Sequence, residues 1–274
     1  RPGGDAVAAP EAWRRAPERS GPNDILAETL AEAFVRRALA NSRELAVADR
    51  ISGALTYRRL LVGTQLLGKR LKQLPGDCVG VLLPASVAAD VVFLALHLAG
   101  KLPAMLNWTT GPGNLDHAVG SLGIRRVVTS RKLIDRLGIR IAGVEYVFLE
   151  DLRAGTGKLE ALATLAATAV FPGRLLRRLP RPQVDDAAVV LFTSGSESTP
   201  KSVPLSHRNL ISNIRASLKL LGPGRNHTML GFLPPFHSFG LMGTVTTGFL
   251  GMNLLGLVPS LVTGHFDPTS QKAV

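Results

Sequence analysis

Short apolar segments alternate with helix-length segments from Pro75 to residue 221, and this alternation constrains the fold more than any other feature of the chain. The predicted strands are CVGVLLP, LPAMLN, RRVVTS, YVFLE and AVVLFT, and the predicted helices are SVAADVVFLALHLAG, NLDHAVGSLG and SHRNLISNIRASLKLL. Strands that alternate with helices of this length are typical of an α/β fold. We therefore predict layered, largely parallel sheets flanked by helices, with ligands bound beyond the carboxyl ends of the strands.

The segments outside this alternation differ from one another. Residues 1–23 are rich in Pro, Gly, Arg and Ala without periodicity, which predicts a disordered linker or tail. The folded part is predicted over residues 24–274, beginning with a helix capped by Asp24, a turn at ISGALTY and a second helix over 58–74. Residues 153–182 interrupt the alternation, so we predict a surface helix or linker there and a candidate subdomain break.

The formal net charge of +12 favours acidic partners. The distribution of the basic residues along the chain restricts which classes of acidic partner are expected. Basic residues cluster in SRKLIDRLGIR and GRLLRRLPRP without interleaved aromatic residues, and aromatic residues make up only 5% of the chain. We therefore expect no nucleic-acid partner. Two interpretations of the basic segments stay open: a solvated face, or peripheral contact between residues 159–181 and an anionic membrane.

The 23 residues from Gly240 to Val262 carry no charge and are long enough to cross a bilayer. Five glycines, a proline, an asparagine and several hydroxyl residues make this segment a poor lipid-facing helix. The pattern favours a buried helix, a turn near Gly251 and a buried strand NLLGLV, with a membrane span as the alternative.

The chain has six histidines and one cysteine, in no metal-ligand spacing, so we predict no protein metal site. Cys78 lies in the predicted strand CVGVLLP and has no basic partner in a motif around it. It is therefore predicted to be a small buried apolar residue rather than a nucleophile.

The segment LFTSGSESTPKS, residues 191–202, directly follows an apolar strand and has the composition of a polyphosphate-binding loop. Its hydroxyl groups can donate hydrogen bonds, Gly195 permits close backbone approach and Lys201 supplies a positive charge. A Walker A loop would have glycine where Pro200 stands, and proline has no N–H to donate. We predict a phosphate loop of another kind, with an exposed Ser/Thr-rich turn as the alternative.

The segment FTSGSESTPKSVPLSHRNL resembles the signature loop of the adenylate-forming (AMP-binding) superfamily, usually [YF]TSG[ST][TE]GxPK[GA]V followed by Ser/Thr-His-x-Asn. The segment LGFLPPFHSFGL resembles the next motif of that superfamily, with Pro234, His237 and Gly240 in place. Residues 95–119 resemble the upstream motif in the form found in acyl-[acyl-carrier-protein] synthetases, including those fused to phospholipid acyltransferase domains. The resemblance covers roughly residues 25–274 and marks residues 24–274 as an incomplete AMP-binding N-terminal domain.

This resemblance implies a ligase that uses ATP and Mg²⁺ to convert a fatty acid or other carboxylic acid into an acyl-adenylate, and then transfers the acyl group to acyl carrier protein or CoA. It implies a catalytic role for His237 near the acyl carboxylate, with Phe236 and Phe239 at the pocket entrance. It also implies that the β- and γ-phosphates are held by Thr193, Ser194, Gly195, Ser196, Glu197, Ser198, Thr199 and Lys201. We expect a cytoplasmic protein, with membrane association through fused domains as the alternative.

Two serines depart from the superfamily pattern, because Ser198 and Ser202 each stand where glycine is usual. The sequence also contains no YGxTE-like adenine motif, no [ST]GD ribose motif, no hinge and no C-terminal catalytic lysine. We therefore expect an N-terminal portion of a fatty-acyl ligase that does not catalyse adenylation alone. The alternative is a non-catalytic remnant that binds a nucleotide or a partner.

Overall fold

Two β-sheets flanked by helices make up the part of the chain described by the computed structural model, namely residues 27–49, 51–193, 200–221, 228–231, 233–242 and 253–255. The strands are β1 (Leu45–Asp49), β2 (Gly53–Thr56), β3 (Cys78–Val81), β4 (Leu102–Met105), β5 (Arg126–Thr129), β6 (Glu145–Phe148), β7 (Ala187–Phe192), β8 (Ser202–Ser206), β9 (Thr228–Leu230) and β10 (Asn253–Leu255). The helices are α1 (Leu30–Ala40), α2 (Tyr57–Leu71), α3 (Val87–Ala99), α4 (Pro112–Ser121), α5 (Arg131–Leu137), α6 (Leu149–Ala154), α7 (Lys158–Val170), α8 (Pro172–Arg177), α9 (His207–Leu221) and the single turn α10 (Ser238–Gly240).

The larger sheet has six strands in the order β6-β5-β3-β4-β7-β8. All its pairings are parallel except that of β7 with the edge strand β8. Its central strands β3, β4, β5 and β7 bury almost every residue, as expected of parallel strands covered by helices on both faces. The predicted α/β architecture with largely parallel sheets is confirmed.

The smaller sheet has four strands in the order β2-β1-β10-β9. Strand β10 lies between β1 and β9 and pairs in parallel with both, at Val47 with Leu254 and at Met229 with Leu254. The predicted strand NLLGLV is therefore present at residues 253–255, although most of the segment Gly240–Val262 lies outside the described residues. No helix within the described ranges has both the length and the hydropathy required to cross a bilayer.

Helix α3 forms the centre of the main hydrophobic core, since ten of its residues are buried. Ser86 caps its start by accepting a hydrogen bond from the N–H of Ala89 at 3.3 Å, and Gly100 ends it in the left-handed conformation. Helix α2 packs closely on α3 at Gly68, where an added Cβ would lie 3.1 Å from the carbonyl oxygen of Ala95. This close packing anchors the helical layer that covers the sheet.

Some element boundaries differ from the sequence-based expectations. Helix α1 begins at Leu30, where Thr29 caps it by accepting a hydrogen bond from the N–H of Glu32, whereas the predicted cap Asp24 lies outside the described residues. The predicted turn ISGALTY contains strand β2, whose four residues are all at least partly exposed and show no apolar alternation. Strand β8 contains Pro204, which is tolerated on an edge strand.

Residues 149–177 form helices α6, α7 and α8, so the segment that interrupts the strand–helix alternation is helical. Helix α7 contacts α2 through polar groups: Gln65 donates to Oγ1 of Thr168 at 2.9 Å, and Lys69 donates to Oγ1 of Thr164 at 3.3 Å. Glu160 forms ion pairs with Arg70 at 3.2 Å and Lys69 at 3.5 Å. The side of α7 that faces the domain is therefore largely polar.

Candidate functional site

The candidate site lies where strands β4 and β7 end side by side. These strands pair in parallel at Ala104 and Val190, so the residues that follow Met105 and Phe192 emerge at the same edge of the sheet. A small cleft there is lined by Asn107, Thr110, Asn114, Leu115, Ala118, Phe192, Thr193 and Pro200. The upstream motif and the base of the predicted phosphate loop are thus joined in one location.

Thr193 and Lys201 hold together the two ends of the predicted phosphate loop. The N–H of Thr193 donates to the carbonyl oxygen of Lys201 at 3.0 Å, and the N–H of Lys201 donates to Oγ1 of Thr193 at 3.2 Å. The flanking strands β7 and β8 form an antiparallel hairpin that fixes this geometry. The other predicted loop residues, Ser194, Gly195, Ser196, Glu197, Ser198 and Thr199, lie outside the described residues.

Lys201 is exposed, and its ammonium group has no ion-pair partner within the described ranges. A basic side chain without an acidic partner, at the carboxyl end of a parallel sheet, is available to an anionic ligand. Ser202, which replaces a usual glycine, lies in strand β8 opposite Phe192. Serine readily adopts the extended backbone of a strand, so Ser202 imposes no backbone cost there.

The segment that follows β4 is ordered by Asn107, a residue that the sequence did not single out. Its Oδ1 accepts hydrogen bonds from the N–H of Thr109 at 3.0 Å and from Oγ1 of Thr109 at 2.6 Å. Its carbonyl oxygen accepts from Oγ1 of Thr110 at 2.9 Å, while Asn114 donates to the carbonyl oxygen of Thr110 at 2.8 Å. The polar composition of NWTTGPGN directly after a strand was the signal that could have identified it.

Aromatic packing links His237 to this segment. The ring of Phe236 is buried and meets Trp108 edge-on at a centroid distance of 4.6 Å, and the imidazole of His237 lies 4.7 Å from Phe236. His237 itself is exposed, as is Phe239, which is 74% exposed. The segment that carries His237 therefore packs against the upstream motif through Phe236 and Trp108. This packing leaves the imidazole of His237 accessible to a ligand.

The turn that carries His237 depends on Gly240. The N–H of His237 donates to the carbonyl oxygen of Pro234 at 3.1 Å, and the N–H of Leu241 donates to the carbonyl oxygen of His237 at 2.8 Å. A Cβ at position 240 would overlap the carbonyl group of Pro234. Only glycine permits this close approach, which explains its place in the motif.

Three ionisable groups, His97, Asp90 and the half-buried Cys78, lie in the core rather than in the site. Burial lowers the pKa of His97 to about 3, with a further contribution from His207, and Nε2 of His97 has no hydrogen-bond partner among the residues that the structure describes. Burial raises the pKa of Asp90 well above its usual value, and Asp49 adds to the rise. Burial also raises the pKa of the Cys78 thiol to about 11, which leaves it protonated at neutral pH. None of these groups is poised for catalysis.

Comparison with known proteins identifies a family for the chain. The family model described as AMP-binding enzyme matches residues 34–262. The 2-succinylbenzoate–CoA ligase of Staphylococcus aureus (strain MSSA476) is 27% identical over 220 residues, which cover 75% of this chain and 43% of that protein. The chain spans less than half the length of the curated relatives that it matches, such as 4-coumarate–CoA ligase-like 6 of Arabidopsis thaliana, of which it covers 32% at 25% identity.

Solved structures share the fold. The structure of VinN matches with a TM-score of 0.70 at 22% identity, covering 86% of this chain and 58% of VinN. The fatty acid AMP ligase from Legionella pneumophila matches with a TM-score of 0.69 at 18% identity, covering 90% of this chain and 42% of that chain. At these identities the likeness establishes the architecture of the two sheets and their helices.

Proposed function

The chain belongs to the AMP-binding enzyme family, and from that membership we propose that it forms the N-terminal portion of an ATP-dependent fatty-acyl adenylate-forming ligase. In the proposed reaction a carboxylate oxygen attacks the α-phosphorus of ATP and pyrophosphate leaves. A carrier thiolate then attacks the acyl carbon and AMP leaves. The observation that carries the proposal is the hydrogen-bonded closure of the loop at Thr193 and Lys201, which brings an exposed lysine, without an ion-pair partner among the described residues, to the end of strand β7.

The residues at this edge suit the charges of the reactants. A carboxylate and a triphosphate repel each other, so their approach requires positive charge and hydrogen-bond donors that are already in position. Lys201 supplies the charge, and the predicted loop residues Ser194, Gly195, Ser196, Glu197, Ser198 and Thr199 would supply further donors and close backbone approach. ATP supplies the activated α-phosphoryl group when it is bound.

The described residues contain no group of three or more His, Cys, Asp and Glu side chains that could hold a metal ion. Mg²⁺ commonly reaches such sites through the phosphate oxygens of the nucleotide plus one or two carboxylates, so a preformed cage is not needed. We propose that Mg²⁺ accompanies ATP, with Glu197 as the candidate carboxylate in the loop.

We assign the acid to the neighbourhood of His237. Its accessible imidazole can donate a hydrogen bond to a carboxylate, and the exposed ring of Phe239 offers apolar surface to an acyl chain. The fatty-acyl choice rests on the resemblance of residues 95–119 to acyl-[acyl-carrier-protein] synthetases. The acceptor is proposed to be the thiol of acyl carrier protein or CoA.

The test compares ligands by isothermal titration with Mg²⁺ present. ATP should bind more tightly than AMP, because the loop is assigned to the β- and γ-phosphates, and pyrophosphate should compete with ATP. Equal affinity for AMP and ATP would remove the loop from the phosphate site. If the chain binds ATP but shows no binding of any carboxylic acid, the result would instead favour a non-catalytic nucleotide-binding role.

The acid is tested separately by displacement of a fluorescent long-chain fatty acid in the presence of ATP. Unlabelled fatty acids should displace it, whereas 2-succinylbenzoate and L-aspartate should not. Those two acids are informative controls because relatives are named for 2-succinylbenzoate and VinN has been solved with L-aspartate. Preferential binding of either control acid would overturn the fatty-acyl assignment.

A further inference from the structure

Helix α7 has its polar side turned towards the domain and its apolar side turned outward. Thr164 and Thr168 are its buried residues, and both exchange hydrogen bonds with side chains of α2. Every exposed residue of α7 after Lys158 is Leu, Ala or Val. We call Leu159, Leu162, Ala163, Ala166, Ala169 and Val170 the apolar ridge.

The apolar ridge stands out from the surface. Leu159 is 83% exposed, Leu162 is 60% exposed and Val170 is 64% exposed, and the half-exposed ring of Phe171 extends the ridge at its carboxyl end. Monomeric soluble proteins rarely expose a continuous apolar surface unless it is used for binding. The alternation of three and four residues along the helix places the ridge on one side, which is the arrangement of an interfacial helix.

A basic groove borders the ridge. The groove has a volume of about 520 Å³ and lies between α2 and helices α7 and α8, with Lys69, Lys72, Arg174 and Arg178 among its lining residues. Glu160 is the one acidic residue among the described residues that line the groove, and it is already paired with Lys69 and Arg70. Within the described ranges Lys72, Arg174 and Arg178 have no acidic partner, so the border of the ridge is positively charged.

We propose that the apolar ridge and its basic border form a docking surface for an anionic lipid bilayer. The ridge would enter the boundary between headgroups and acyl chains, and the groove cations would contact lipid phosphates. A convex ridge suits a soft planar surface better than the concave pocket of a folded partner. The positive charge of the groove favours anionic lipids, because each basic residue near an anionic surface is attracted to it. Salt should weaken this attraction by screening the charges.

Vesicle flotation with the full 274-residue chain tests this surface. The parent should float with vesicles of equimolar phosphatidylglycerol and phosphatidylcholine, and much less with phosphatidylcholine alone. The double variant Leu159→Gln/Leu162→Gln should lower partitioning about tenfold or more by removing apolar contact. The double variant Arg174→Gln/Arg178→Gln should lower it by a similar factor on anionic vesicles and should remove most of the difference between the two lipid compositions.

Matched controls use residues outside the ridge and groove. Ile51 is 66% exposed on the β1–β2 hairpin, and Arg140 is exposed in the loop before β6. Ile51→Gln and Arg140→Gln should float as the parent does. All variants change exposed side chains, so their thermal unfolding should match that of the parent.

Depth of insertion gives an independent readout. Vesicles with brominated acyl chains should quench the fluorescence of Leu162→Trp more strongly than they quench the fluorescence of the parent chain. Three outcomes would overturn the proposal: a parent that does not float with anionic vesicles, flotation unaffected by Leu159→Gln/Leu162→Gln, or self-association that this variant abolishes, which would assign the ridge to a second copy.

Discussion

The hydroxyl of Thr193 accepts a hydrogen bond from the backbone N–H of Lys201, across a loop whose other residues are predicted to surround phosphate groups. A second hydrogen bond runs in the opposite sense, from the N–H of Thr193 to the carbonyl oxygen of Lys201. The position of the Lys201 side chain thus depends on a threonine that opens the same loop.

Replacing Thr193 by valine should weaken ATP binding by about 1 kcal/mol while leaving the fold intact, because valine keeps the shape but removes the acceptor. Thr193→Ser should restore the parent affinity, since it retains the hydroxyl. Titration of ATP into the three proteins measures the effect. An unchanged affinity in Thr193→Val would show that the hydrogen bond does not position the loop.

Replacing Lys201 by alanine should weaken ATP binding by about 1.5–3 kcal/mol, the usual contribution of a hydrogen bond to a charged group. The effect on AMP should be smaller, because Lys201 is assigned to the outer phosphates. Lys132 is exposed on α5, and Lys132→Ala is the matched control for loss of one charge. Equal losses of affinity in the two variants would indicate a general charge effect rather than a site.

Gly240→Ala should lower the free energy of unfolding by about 1–3 kcal/mol, because the added Cβ has no room beside Pro234. It should also disturb the turn that carries His237 and so weaken acid binding. Gly113→Ala in α4 is the control, since nothing lies within 4 Å of the new Cβ and helix propensity favours alanine. Urea unfolding of both variants measures the difference in their stability. Equal stability of Gly240→Ala and Gly113→Ala would contradict the prediction.

His97→Leu should make the protein less sensitive to acid than the parent. His97 stays neutral when folded because its pKa is about 3, whereas the unfolded chain binds a proton below about pH 6.5. The free energy of unfolding of the parent, relative to the variant, should therefore fall by about 1.4 kcal/mol for each pH unit below 6.5. The raised pKa of Asp90 acts in the opposite direction in both proteins and cancels in this difference.

Urea unfolding from about pH 6.5 to about pH 4.5 measures that difference above the range in which most carboxylates titrate. The variant His117→Gln, which changes an exposed histidine, is measured in parallel as the control for loss of an imidazole outside the core. A His97→Leu variant whose stability follows that of the parent at every pH would show that His97 is hydrated or protonated in the folded protein.

The central strands and the site segments could be predicted from sequence for a physical reason. Strands β3, β4 and β7 are buried on both faces, so each appears as a continuous apolar run. Strands β2 and β8 lie at sheet edges, where exposure removes that signal and Pro204 argues against a strand. That Asn107 and Thr193 line the same cleft could not be predicted, because it depends on the pairing of β4 with β7, which bypasses β5 and β6 in the sequence.

The position of β10 has a consequence for how the polypeptide matures during synthesis. Among the described strands, β1 is joined to β9 only through β10, so the pairing of Val47 with Leu254 must wait until about two hundred further residues have been translated. Until then the β1–β2 hairpin has an open edge, and pairings between such distant segments form slowly. We expect the six-stranded sheet, whose strands end at residue 206, to form first on the ribosome, leaving this hairpin edge a target for chaperones or proteases.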